Sequence, residues 1–85
     1  MLAVLGFLFS LDPNQYATGQ MIQEATDLEV DEINDAVKLL INRGFAFPHP
    51  FSNRPFRFGE VKITSEGRLF WEQEKFKIEQ ISQEL

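Results

Sequence analysis

Seven side chains in the middle of the chain have the chemistry to grip a polyanion. Asn34, Lys38, Asn42 and Arg43 lie on one amphipathic stretch, and Arg54, Arg57 and Lys62 follow in a stretch rich in proline and phenylalanine. Arg and Lys neutralise phosphate oxygens, and the Asn amide can read a base edge. Opposing them, Glu29, Asp31, Glu32 and Asp35 crowd the start of the same amphipathic stretch and repel phosphates. Other chemistry is poorly supplied. There is no cysteine, and His49 is the single histidine. A thiolate site is therefore excluded, a transition-metal site is not expected, and neither is any cofactor. No pattern singles out Ser10, Ser52, Ser65 or Ser82 as a nucleophile, and no glycine-rich phosphate loop is present. Scattered carboxylates could do acid–base work, but any acidic chain offers such pairs, so an enzyme is not expected.

The distribution of charge sharpens this picture. The chain has 85 residues and a net charge of −5. Residues 1–35 hold seven acids and no base, residues 36–62 hold five bases against Glu60 alone, and residues 63–85 carry a net −2. A basic island thus sits in an acidic chain. Eighty-five residues make one domain with a modest core. The apolar start, "MLAVLGFLFSL", lacks a basic segment and a small-residue cleavage site. It is also too short to span a bilayer. A buried helix, no membrane partner and a cytoplasmic location are the expectation.

Four helical segments and a hairpin must position these groups. Leu2, Leu5 and Phe9 recur at helical spacing, and Val4, Leu8 and Leu11 do so on another side, so a first helix over 1–11 is covered on more than one face. "DPN" at Asp12–Asn14 stops it. Thr18 can cap a second helix, which buries Met21, Ile22 and Ala25. "TDLEV" makes a turn. A third helix over roughly Val30–Arg43 buries Ile33, Val37, Leu40 and Ile41 and turns Asp31, Glu32, Asp35, Lys38 and Asn42 outward. Gly44 suits a left-handed end. "FAF" and "RFGEVKIT" read as strands, and "PHPFSNRPF" between them as a hairpin tip, since its prolines cannot donate ladder hydrogen bonds. Thr64 or Ser65 caps a last helix over 65–84.

Two compositional excesses need a reason. Glu29, Asp31 and Glu32 fall where negative charge offsets the helix dipole, worth about 0.3–1 kcal/mol each. Phe45, Phe47, Phe51, Phe56 and Phe58 crowd a short hairpin. Most should pack onto the helices, with Phe51 and Phe56 the rings most apt to be exposed at the tip, where they suit base stacking or a protein partner.

Helix, helix, turn, helix, hairpin, helix is an order that resembles the winged helix-turn-helix domain. "LLINRGF" is similar to the end of that family's third helix, where a basic–Gly–apolar step leads into the first wing strand. "VKITSEGRLFWEQ" is similar to its second wing strand running through a Thr-x-x-Gly turn into a last helix. The likeness covers about residues 2–75. It implies an α+β winged helix, 18–43 forming the helix-turn-helix and 45–64 the wing, that binds double-stranded DNA, commonly as a dimeric transcription regulator. In such proteins the third helix enters the major groove and the wing touches the backbone or minor groove. Some winged helices instead bind only proteins, and here the acidic helix and aromatic wing would be the docking surface. The expected homodimer rests on Trp71, Ile78, Ile81 and Leu85, a near-heptad stripe broken by Glu74, with Leu69 and Phe76 beside it and Leu5 and Phe9 on the first helix.

Overall fold

Local signals set most element boundaries. The computed structural model describes the backbone of residues 1–52 and 54–84, and side chains as far as residue 75. Helix α1 (Leu2–Ser10) buries Val4, Leu5 and Leu8, whose three- and four-residue spacing places them on one face. Strand β1 is the dipeptide Ala17–Thr18, and α2 spans Gly19–Thr26. Thr18 caps α2 as its sequence position predicts: the Met21 N–H donates to Thr18 Oγ1 at 3.2 Å.

Helix α3 (Val30–Asn42) buries Ile33, Ala36, Val37 and Leu40. Its acidic start has a structural use. The Glu29 N–H donates to the Glu32 carboxylate at 3.3 Å, satisfying an amide at the helix entrance. Gly44 adopts φ +76° after the helix. The Phe45 N–H reaches Leu40 O at 2.9 Å and the Gly44 N–H reaches Ile41 O at 3.0 Å. Both orphan carbonyls are thereby satisfied in a Schellman arrangement.

Strands β2 (Ala46–His49) and β3 (Glu60–Ile63) form the hairpin, and β1 completes an antiparallel sheet in the order β1-β3-β2. The register pairs Phe47 with Lys62, His49 with Glu60 and Ala17 with Val61. Ala17, Ala46, Val61 and Ile63 therefore face the core, and Phe47, His49, Glu60 and Lys62 face away from it. Helix α4 (Ser65–Glu84) begins at Thr64, whose Oγ1 accepts from the Gly67 N–H at 3.0 Å and donates to Gly44 O at 2.6 Å. One hydroxyl thus caps α4 and ties it to the end of α3. The chain is α+β, with four helices and one three-stranded antiparallel sheet among the described residues. No helix among them is long and apolar enough to cross a membrane.

Five expectations need correction. Ala25, expected to be buried on the second helix, is exposed, and Pro48 and His49, expected in the hairpin tip, belong to β2. The strand expected over 57–64 forms only over Glu60–Ile63, because residues 54 to 59 are spent on turns that bring Phe56 and Phe58 inward. Phe56 is therefore not exposed at the tip. It is 3% exposed, and its ring lies against Gly19, which has no side chain to exclude it. Leu5, expected at a dimer interface, is 0% exposed inside the chain's own core and offers no surface to a second copy.

Candidate functional site

A cleft of about 340 Å³ opens between α3 and the hairpin. One wall is the polar side of α3, contributing Asp35, Lys38 and Asn42. The other is Pro48, Pro50 and Arg57, with Ile41 and the buried Phe58 beneath. Helical periodicity puts Asp35, Lys38 and Asn42 on one side, three and four residues apart. Arg57 reaches the same cleft from a turn.

Asn34 closes the arrangement. Its Nδ2 donates to Pro55 O at 3.2 Å, and its Oδ1 accepts from the Arg57 N–H at 2.9 Å. Helix and hairpin are latched by one side chain, which supplies the donor and the acceptor that a neighbouring strand would supply. Asn34 was expected to read a base edge. The structure gives it a different task, since one N–H and the oxygen of its amide are already bonded to the hairpin backbone.

Of the six other expected contacts, three converge and three do not. Lys38, Asn42 and Arg57 come together at the cleft. Arg43, exposed, follows Asn42 at the end of α3, with its Nη1 3.9 Å from Met1 Sδ. Arg54 is exposed in the turn before Pro55. Lys62 does not join them. It lies on the outward face of the sheet, with its Nζ 5.3 Å from the Tyr16 ring centroid and 5.9 Å from that of Phe47. Pairing with Phe47 fixes this: one strand alternates faces, so Lys62 cannot share the cleft side with core-facing Val61.

That outward face is a second surface. Phe47 is 55% exposed and Phe51 47%. Between them His49 lies 6.1 Å from the Phe51 ring and 5.6 Å from the Tyr16 ring, with its Nδ1 2.9 Å from Glu60 Oε1. Tyr16 was not anticipated here. It precedes a two-residue strand, too short to show an alternating pattern in sequence. Pro48 sits on the edge strand β2 and lacks an N–H, which blunts that edge for pairing with another chain.

The residues expected to mediate dimerisation are partly accounted for. Phe9 and Trp71 pack together at 6.3 Å between centroids, with the Arg68 guanidinium 4.7 Å from the Phe9 ring. Leu69 is 57% exposed. The side chains of Phe76, Ile78 and Ile81, and all of Leu85, lie outside the described residues. No group of three or more His, Cys, Asp or Glu side chains among the described residues could hold a metal ion. Comparison with known protein families, curated proteins and solved structures gives no match for this chain.

Proposed function

We propose that this chain is a winged-helix module that binds double-stranded DNA, as a homodimeric transcription regulator, through the C-terminal half of α3 and the hairpin wing. The observation that carries the reading is the convergence of Lys38, Asn42 and Arg57 on one cleft between helix and wing. Arg43 at the end of α3 and Arg54 in the turn before Pro55 are exposed and add positive charge outside the cleft. The acids of α3 do not forbid it. Asp31 precedes Asn42 by eleven residues, which is about 16 Å along a helix axis, and Glu32 is engaged in capping. Asp35 is the one carboxylate at the cleft itself, and it weakens the grip. With Asn34 bonded to the wing, few side chains remain to read bases. The reading is therefore of a mainly phosphate-led contact with little sequence discrimination.

Salt dependence tests this directly. Three or four phosphate contacts per subunit, hence six to eight per dimer, imply that affinity for mixed DNA fragments falls about 2,000- to 20,000-fold between about 50 and 200 mM salt. Replacing Arg54 and Arg57 with Ala removes four contacts per dimer and should flatten the logarithmic slope by about three and a half units. No binding at the lower salt by folded protein would overturn the reading.

One observation favours a second reading, a protein-interaction module. Phe47 and Phe51 are about half exposed on the outward sheet face, and Asp31, Glu32 and Asp35 are exposed on α3. Exposed rings beside charged residues suit a protein partner. The dimer remains part of the proposal. It rests on Leu69, 57% exposed on α4, not on Leu5.

A further inference from the structure

The cleft has the make-up of a small-molecule site as well as of a groove wall. Lys38 on α3 and Arg57 on the hairpin both line the cleft, so an anionic group held there lies in the field of two cations. The hairpin wall and the floor are apolar and stiff: Pro48 and Pro50 in the wall lose almost no side-chain freedom when covered, and Phe58 beneath is buried against the core. A volume of about 340 Å³ falls at the lower end of the range for small-ligand sites. The Asn34 latch holds both walls in place without a ligand, so little ordering cost falls on binding. Asp35 on the rim selects further. It repels a bare anion, yet it can accept a hydrogen bond from a ligand that carries an N–H donor.

We propose that this cleft binds a small planar organic anion. Its ring system lies on Pro48, Pro50 and Phe58, its carboxylate or phosphate sits between Lys38 and Arg57, and an N–H donor of the ring or of an amine on it faces Asp35. The site does not depend on the DNA reading. Where that reading also holds, the ligand covers two of the cations that DNA needs and releases it.

The test uses the full chain, labelled with nitrogen-15, and four probes: indole-3-acetate, adenosine monophosphate, indole and inorganic phosphate. The two ring-bearing anions should shift the amide signals of Lys38, Asn42, Arg57 and Phe58. Indole and phosphate, each half of the chemistry, should bind about tenfold more weakly or worse, as expected when one favourable contact set is removed. The tighter of the two anions identifies a carboxylate or a phosphate ligand. Lys38→Ala and Arg57→Ala should each weaken the preferred anion about fivefold, the scale of one exposed charge contact, and leave indole unaffected. Asp35→Asn should tighten phosphate. All three are exposed positions, so the fold is retained. The proposal is overturned by absence of shifts with every probe at about 10 mM, a concentration that would reveal millimolar affinity. It is equally overturned if indole binds as well as indole-3-acetate, or if the shifts centre on Tyr16, Phe47 and Phe51. DNA is absent throughout, so a negative result leaves the DNA reading to its own salt titration.

Discussion

Replacing Asn34 with Ala separates a latch from a base reader. The substitution removes two hydrogen bonds, to Pro55 O at 3.2 Å and from the Arg57 N–H at 2.9 Å. A net hydrogen bond contributes about 0.5–1.5 kcal/mol, and both of these are in an exposed setting where water can replace the lost partner. A loss of about 1–2 kcal/mol follows. In urea, with a slope of about 1 kcal/mol/M for a chain this small, the midpoint should fall by roughly 1–2 M. Hydrogen exchange supplies the local readout: the Arg57 amide, which donates only through this latch among the described bonds, should lose protection while the α3 amides below Leu40 keep theirs. Asn34→Asp keeps the acceptor for Arg57 but turns a second oxygen toward Pro55 O, so it should not restore full stability. Asn42→Ala, exposed at the cleft rim, is the control and should stay within about 0.5 kcal/mol of the parent. A change below about 0.3 kcal/mol in Asn34→Ala, with Arg57 still protected, would refute the latch and return Asn34 to the list of base readers.

Other substitutions probe the frame that holds the cleft. Gly19→Ala would ordinarily favour a helix, but its Cβ would fall 2.0 Å from the Phe56 ring; it should therefore destabilise by about 1–3 kcal/mol in thermal or urea unfolding. Gly44→Ala meets nothing within 4 Å, so its cost is only that of φ +76° for a side chain, about 1–2 kcal/mol. Thr64→Val removes the hydroxyl that caps α4 and bonds Gly44 O, and should cost about 1–2 kcal/mol, with α4 losing helicity first by circular dichroism. For the dimer, light scattering should give twice the 9.9 kDa chain mass for the parent, and Leu69→Lys should shift it towards one. A monomer mass for the parent would remove the dimer from the proposal.

Amino-acid order alone determined the helices and their ends. Thr18, Gly44 and Thr64 act through hydrogen bonds and dihedral angles that reach only a few residues along the chain, so their roles are legible locally. The buried faces of α1 and α3 are legible for the same reason, since helical spacing is a local property. The acids at the start of α3 were likewise readable as partners of the helix end, and Glu32 caps it as such. What faces what was decided by tertiary structure. Asn34 looks like any polar helix residue until the wing's backbone is seen bonded to its amide, 21 and 23 residues further along. Phe51 and Phe56 are the same residue type five positions apart. Phe56 enters the core against Gly19, while Phe51 is left 47% exposed. Lys62 and Arg57 are both basic hairpin residues, but strand register sends one to the outward face and the turn sends the other to the cleft. Each of these outcomes depends on a partner distant in sequence, and a pattern read along one strand of text carries no information about which partner arrives.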